Sequence, residues 1–209
     1  TRNGLFKKTS LSAYGNVRAK GIKAIKLEDG DELIETGITD GSEQIIIASA
    51  DGQAVRFDET DARPMGRDTM GVKGMTLNPG DRVVSMAVVR PGDRLLTVSE
   101  NGYGKISDVD DYRKTRRGGK GVITIKTDER NGQVVSVRKV NPGDQLMLTS
   151  ASGKIIRIDT DEIRETGRNA KGVRVMDMRN GDKVVAVEPV MTEEQEEEVE
   201  ESAPEAPEQ

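Results

Sequence analysis

The feature that most constrains the fold is a fourfold internal repeat with a period of about 50 residues. Self-similarity at this period is typical of propeller blades and related repeat architectures. Three glycine landmarks keep the same order in every copy, which indicates four equivalent units. A hairpin glycine recurs at intervals of 48, 50 and 51 residues: Gly4, Gly52, Gly102 and Gly153. A glycine after a polar loop recurs at intervals of 50, 50 and 51 residues: Gly21, Gly71, Gly121 and Gly172. A turn glycine ahead of the last apolar segment completes the set: Gly30, Gly80, Gly132 and Gly181.

Each unit carries the pattern of four short β-strands. In the second unit, two β-rich segments flank the dipeptide Asp51-Gly52, which is typical of a type I′ hairpin. A polar loop leads to a third apolar segment, and an Asn-Pro-Gly-Asp turn precedes a fourth. No helical periodicity is present, so we predict an all-β, propeller-like fold of four four-stranded blades. The predicted strands of this unit are residues 44–49, 54–57, 72–77 and 83–89.

The landmarks also set the domain boundaries. We place the blades at about residues 1–41, 42–92, 93–143 and 144–191, in one domain spanning residues 1–191. The first blade begins at its hairpin and lacks an opening strand. This predicts a partial ring, or a missing strand supplied from elsewhere in the chain. Because the chain does not begin with Met, we expect a fragment or a processed product.

Residues 192–209 form an acidic tail with nine glutamates and no lysine or arginine. A charge block of this kind is expected to be disordered. The whole chain has a formal charge of −5, but without these glutamates it carries 32 cations and 28 anions, or +4. The predicted blades therefore form a mildly basic body. The tail either aids solubility or competes with a polyanion for that body.

Composition excludes several kinds of site. The chain has no cysteine and no histidine, which excludes disulfides, thiol chemistry and a Ser-His-Asp triad. Three tyrosines and two phenylalanines offer little surface for stacking single-stranded bases. Asp108 and Asp110 superficially resemble a metal-binding pair, but we interpret them as turn residues and expect no metal. No apolar run approaches 18 residues, so we expect no membrane span and a cytoplasmic location.

The polar loops hold the candidate binding residues. They are residues 9–20, 58–70, 108–120 and 159–171, called the basic loops below. From Arg113 to Lys126 the chain has six cations and no acidic residue. Arginines beside exposed backbone N–H groups suit phosphates, and a Gly-Gly pair allows a tight turn that exposes such groups. Equivalent loops of stacked blades should lie on one side, which predicts a basic stripe that fits a long polyanion. The candidate residues for contact with such a polyanion are Arg113, Lys114, Thr115, Arg116, Arg117, Gly118, Gly119, Lys120 and Gly121, with Arg18, Lys20, Arg63, Arg67, Arg164, Arg168 and Lys171.

Two other interpretations apply to the loop around Arg116. A nucleotide-binding P-loop is disfavoured, because Gly121 rather than Ser or Thr follows Lys120, and Lys114 stands where the motif needs glycine. A solvated basic turn without a ligand stays open on the residues alone.

Residues 115–121, Thr-Arg-Arg-Gly-Gly-Lys-Gly, resemble the gyrase-A box, Gln-Arg-Arg-Gly-Gly-Lys-Gly, in six of seven positions. We call residues 115–121 the box segment. Residues 30–34, 55–57, 63–66 and 100–105 are also similar to this family. From Thr1 to about Met191 the chain therefore resembles the C-terminal domain of DNA gyrase A, a β-pinwheel of blades of about 50 residues. The resemblance implies the last four blades of a longer pinwheel, with the box segment in a later blade than the family's principal box.

The resemblance implies a module that binds duplex DNA without sequence preference and wraps it. In the whole enzyme, a type II DNA topoisomerase, this wrapping supports ATP-dependent negative supercoiling on the nucleoid. ATP, Mg²⁺, the remainder of gyrase A and the gyrase B protein are implied for the heterotetramer, and we expect no cofactor in this chain. No arginine precedes Tyr14, Tyr103 or Tyr112, so we assign no catalytic residue. The alternatives are the equivalent domain of topoisomerase IV, which the near-complete box disfavours, and a protein-interaction propeller without a nucleic-acid role.

Overall fold

The computed structural model describes residues 1–17, 19–179 and 181–190, and these residues form an all-β structure. Within them the longest helical element is the four-residue 3₁₀ turn Leu11–Tyr14, and no helix is long and apolar enough to cross a membrane. The strands are β1 (Leu5–Phe6), β2 (Gln44–Ser49), β3 (Gln53–Asp58), β4 (Val72–Lys73), β5 (Val83–Val89), β6 (Arg94–Ser99), β7 (Tyr103–Asp108), β8 (Val122–Ile123), β9 (Val134–Val140), β10 (Gln145–Ser150), β11 (Ile155–Asp159), β12 (Val173–Arg174) and β13 (Val184–Val190).

The strands form four antiparallel sheets, one for each unit of the repeat. The second and third sheets have four strands, in the orders β5-β2-β3-β8 and β12-β7-β6-β9. The last has three strands, β11-β10-β13, and the first contains only β1 and β4. The predicted all-β, propeller-like arrangement of blades is confirmed. The missing opening strand of the first unit leaves its sheet as a short two-stranded pair.

In the second, third and fourth units, the short third strand joins the sheet of the preceding unit. Val72 of β4 pairs with Phe6 of β1, and Val122 of β8 pairs with Ala54 of β3. The same exchange places β12 on β7. The sequence predicted a six-residue third strand at residues 72–77, within its own blade. The structure instead gives a two-residue strand on the neighbouring blade, so successive blades are locked together by exchanged strands.

The second glycine landmark marks the crossing between blades. Gly121 has a φ of +80°, and a Cβ built there would lie 2.2 Å from the carbonyl oxygen of Ala54. Gly172 repeats this geometry against Gly104, at φ +79° and 2.5 Å. Only glycine adopts this backbone conformation without strain and fits so close to another backbone. The landmark is therefore a requirement of strand exchange.

The apolar core lies between successive blades. One cluster joins Ile46 and Ala54 of the second unit to Leu95 and Tyr112 of the third. A similar cluster joins the third unit to the fourth, and another joins Phe6 of the first unit to the second. Burial of this apolar surface favours stacking of adjacent blades. The loops on neighbouring blades are therefore held at fixed positions relative to one another.

Candidate nucleic-acid interface

The basic loops follow equivalent paths over successive blades. In each of three loops, one backbone N–H donates to a carbonyl on the hairpin of the preceding unit, always at 2.8 Å. Each loop therefore crosses between blades in the same way, and equivalent cations recur at equivalent places. The donor and acceptor pairs are Met65 to Lys8, Thr115 to Arg56, and Thr166 to Ile106.

The box segment is fixed by backbone hydrogen bonds to the segment that follows β4 in the second unit. The N–H of Gly118 donates to the carbonyl of Gly74 at 2.6 Å, and the N–H of Thr76 donates to the carbonyl of Gly119 at 2.9 Å. Gly118 has a φ of +82°, which explains the glycine at the turn. The N–H of Gly118 is thus engaged within the protein rather than exposed, in contrast to the expectation from sequence.

Four cations of this loop are exposed, and three of them share the same surroundings: Arg113, Arg116 and Lys120. None of these three makes a side-chain hydrogen bond or ion pair with the residues that the structure describes. Their charges are therefore available to an external anion. Lys114 is also exposed but forms an ion pair with Asp58 at 3.0 Å. A surface pair of this kind contributes little energy and leaves the ammonium accessible.

Arg117, next to Arg116 in sequence, points into the protein. Its Nε donates to the carbonyl of Asp61 and its Nη1 donates to the carbonyl of Lys73, both at 3.0 Å. Arg67 and Arg168 occupy the equivalent positions of their loops and are half-buried like Arg117. We call these three residues the loop-base arginines.

The remaining predicted residues fall into similar groups. Arg63 and Arg164, at the positions equivalent to Arg113, are exposed and have no side-chain partner in the described part of the chain. Lys20 is exposed as well. Lys171 bonds to Asp128 at 2.5 Å, and this contact lowers the pKa of that carboxyl. Arg18 lies outside the described residues.

A buried lysine supports the last basic loop. Lys105 of β7 is fully buried, and its Nζ donates to the carbonyls of Gly167, at 3.1 Å, and Arg168. Burial, followed by the nearby Arg168 charge, lowers the pKa of Lys105 to about 8. Lys7 makes the equivalent bond to the carbonyl of Arg67. The backbone of two loop-base arginines is therefore held by a lysine from the preceding hairpin.

Known proteins share both this sequence and this architecture. The sequence matches the family described as the DNA gyrase C-terminal domain, beta-propeller, over residues 1–40, 43–90, 93–141 and 144–191. The DNA gyrase A protein of Haloquadratum walsbyi is 41% identical over 190 residues, which is 90% of this chain and 22% of that protein.

The chain belongs to the DNA gyrase C-terminal domain family. Its resemblance to this family is thereby confirmed. The chain spans about a fifth of the length of the curated relatives it matches.

Two solved structures show the same architecture at different levels of sequence identity. The C-terminal domain of DNA topoisomerase IV matches with a TM-score of 0.87 at 26% identity, covering 96% of this chain and 64% of that one. A DNA gyrase A C-terminal domain matches with a TM-score of 0.80 at 31% identity, covering 91% and 64%. The fold is common to both enzymes, whereas the sequence is closer to gyrase A.

A surface cluster of two arginines around a tyrosine was not predicted from the sequence. The guanidinium of Arg130 lies 4.1 Å from the ring centroid of Tyr103, and Arg174 lies 5.9 Å from the same centroid. Hydrogen bonds from Arg174 and Arg130 lower the pKa of the tyrosine. Arg174 follows the landmark Gly172 by two residues, so the repeat predicts its place in the exchanged strand. The pairing with a tyrosine from another unit depends on strand exchange and has no local signal.

Several acidic residues are engaged in hydrogen bonds and ion pairs within the protein. Asp108 accepts the N–H of Asp110 at 2.8 Å, and Asp110 forms an ion pair with buried Arg56 at 2.9 Å. Three other carboxylates, those of Asp40, Glu43 and Glu59, place ligand atoms within 4.8 Å of one another. Arg90, Lys8 and backbone N–H groups bond to them. The three carboxylates therefore have partners within the protein, and we interpret the cluster as a hydrogen-bonded network that closes the loop.

Proposed function

We propose that this chain is a duplex DNA-binding and DNA-wrapping module of DNA gyrase A. The observation that carries the proposal is the set of exposed cations without side-chain partners in the described residues, repeated on equivalent loops of successive blades. Arg113, Arg116 and Lys120 form one group, and Arg63 and Arg164 extend it to the adjacent blades. Membership of the gyrase family supports the same assignment.

The chemistry of these residues favours phosphates over bases. Guanidinium and ammonium groups neutralise backbone phosphates and release condensed counterions. Base readout requires an element that enters a groove, and the described residues contain no helix longer than four residues. Binding is therefore independent of DNA sequence. Repetition of the cations along consecutive blades fits a bent duplex better than a small ligand.

A gel-shift experiment across a salt series tests DNA binding. We expect duplexes of unrelated sequence to bind equally, with a log–log slope of about −0.9 for each phosphate neutralised. The matched variant carries Arg113→Ala, Arg116→Ala and Lys120→Ala. It should retain the fold, and the slope of its salt dependence should be flatter. A protein-interaction propeller would give no salt-sensitive shift, and that result would refute the proposal.

The equivalent domain of topoisomerase IV is the second candidate. The higher TM-score to the topoisomerase IV domain favours it, whereas gyrase A relatives of about 41% identity and the near-complete box segment favour gyrase. Strong constraint of plasmid supercoils by this chain would favour a gyrase module. Binding without such constraint would favour the topoisomerase IV assignment.

The proposed role places the chemistry elsewhere in a larger enzyme. The remainder of gyrase A and the gyrase B protein supply DNA cleavage and ATP hydrolysis with Mg²⁺, and the assembly supercoils DNA negatively. This chain binds and bends the duplex that is passed. The proposed location is the cytoplasm, on the nucleoid, where the duplex is found.

A further inference from the structure

Two of the loop-base arginines, Arg117 and Arg168, bridge the two ends of the basic loop that precedes them. Arg117 bonds to the carbonyls of Asp61 and Lys73. Asp61 ends the 3₁₀ turn Glu59–Asp61 at the start of the second loop, and Lys73 lies in β4, which follows that loop. One guanidinium from the third unit therefore closes the base of the loop in the second unit.

The same contact recurs one unit later, on the loop that contains the box segment. The Nε of Arg168 donates to the carbonyl of Asp111 at 3.2 Å, and its Nη1 donates to the carbonyl of Ile123. Asp111 ends the 3₁₀ turn before the box segment and Ile123 ends β8 after it. Arg67 of the second unit makes one of the two bonds, donating to the carbonyl of Lys23 in the first unit, the position equivalent to Lys73. Two complete bridges and one partial contact at equivalent positions show a feature of the repeat rather than a chance contact.

The backbone at these positions reinforces the bridge. The N–H of Arg117 donates to the Asp61 carboxylate at 3.3 Å, and the N–H of Arg168 donates to the Asp111 carboxylate at 3.2 Å. A guanidinium presents donors in a fixed planar fork, so it can hold two carbonyls at once. A lysine has one nitrogen on a flexible stem and cannot reproduce this geometry.

We propose that Arg117 and Arg168 are positioning residues that close the base of the preceding basic loop. Arg168 holds the loop of the box segment in shape, and Arg117 does the same for the loop of the second unit. The two arginines of the box segment then have different roles: Arg116 faces an external anion, whereas Arg117 acts within the protein. The expected effect of these arginines on DNA wrapping rests on the proposed function. The closure of the loop does not depend on it.

The test of loop closure uses two variants of the 209-residue chain that alter one loop and remove the same charge. Arg168→Ala removes the bridge, and Arg164→Ala removes an exposed arginine four residues earlier. Hydrogen exchange is followed at Thr115, Arg117 and Gly118, whose N–H groups are bonded in the loop that Arg168 closes. We expect exchange about tenfold faster in Arg168→Ala, since charge-assisted hydrogen bonds contribute on this order. Arg164→Ala should match the parent.

A third variant, Arg168→Lys, separates the bridge from the charge. It keeps a cation in place but cannot bond to both carbonyls, so exchange should be as fast as in Arg168→Ala. It also serves if the alanine variant fails to fold.

DNA measurements on the same variants separate the bridge from the charge in the same way. Arg164→Ala should flatten the salt slope by about 0.9, whereas Arg168→Lys should leave the slope unchanged and reduce the wrapping of plasmid DNA.

Three outcomes have distinct meanings. If exchange at Thr115, Arg117 and Gly118 is the same in the parent, Arg168→Ala and Arg168→Lys, the positioning role is wrong, whatever happens with DNA. If exchange accelerates as expected but the parent shows no salt-dependent DNA binding, the bridge stands and the proposed function fails. Recovery of wrapping by Arg168→Lys would identify a direct phosphate contact and overturn the inference.

Discussion

Arg116 and Arg117 are neighbours in sequence, yet their guanidinium groups have different surroundings. Arg116 is exposed and meets no partner among the described residues, whereas Arg117 donates to two carbonyls of the preceding unit. Composition and spacing pointed to the cation-rich loop as a whole. They did not distinguish the loop-base arginines, because the carbonyls that bind Arg117 lie 44 and 56 residues away in the chain.

The substitution Arg116→Ala tests the exposed class directly. It should flatten the salt slope of DNA binding by about 0.9 without changing the free energy of unfolding by more than about 0.5 kcal/mol. The slope comes from gel shifts between low and high salt, and the stability from urea titration. An unchanged slope would show that Arg116 does not contact phosphate.

Lys105 gives the fold a pH dependence of known sign. Its folded pKa of about 8 lies below the ordinary lysine value of 10.5, so the unfolded chain binds the proton more tightly. Stability should therefore rise with pH between about 8 and 10.5 by at most about 1.4 kcal/mol for each pH unit from this group.

The measurement compares urea unfolding of the parent and Lys105→Met across this pH range. As pH rises, the free energy of unfolding of the parent should increase relative to that of Lys105→Met. A difference that stays constant with pH would show that the lysine is not desolvated in the folded state.

Strand exchange is the main feature at the level of elements. The hairpins β2-β3 and β6-β7 follow from turn chemistry and β-rich segments, and the sequence predicted the second unit's hairpin to within one residue at each end. The partner of the short third strand was not predictable by the same means. Its pairing depends on the close approach of Gly121 to Ala54, a contact between residues 67 positions apart.

Replacing Gly121 tests the crossing. Gly121→Ala should destabilise the fold by about 2–4 kcal/mol, because it adds backbone strain and places a methyl group 2.2 Å from the Ala54 oxygen. Gly80→Ala is the matched control, since Gly80 has a similar φ of +82° but no atom within 4 Å of its Cβ position. The control should cost about 1 kcal/mol in urea unfolding. Equal losses in the two variants would argue against a tight crossing.

The whole molecule combines a basic body with an acidic tail. Residues 192–209, which the sequence predicts to be disordered, lie outside the described residues. They carry nine negative charges attached to a body of formal charge +4. Covalent attachment gives the tail an effective concentration on the order of millimolar near that body. The tail should therefore compete with DNA for the exposed cations.

Removal of the tail should tighten DNA binding, most strongly at low salt, where screening is weakest. Affinity is measured for residues 1–191 and for the full chain across a salt series. A full-length chain with its nine tail glutamates changed to glutamine controls for length. If all three proteins bind equally at low ionic strength, the tail has no competitive role.

The central claim, that the chain wraps duplex DNA, is tested most directly by plasmid topology. A nicked plasmid is ligated with the protein bound, the protein is removed, and the topoisomers are separated. We predict a positive change in linking number that grows with bound protein, because the proposed role in negative supercoiling requires DNA to be wrapped with a positive crossing. The change should disappear at high salt. Saturated binding with an unchanged topoisomer distribution would contradict the claim.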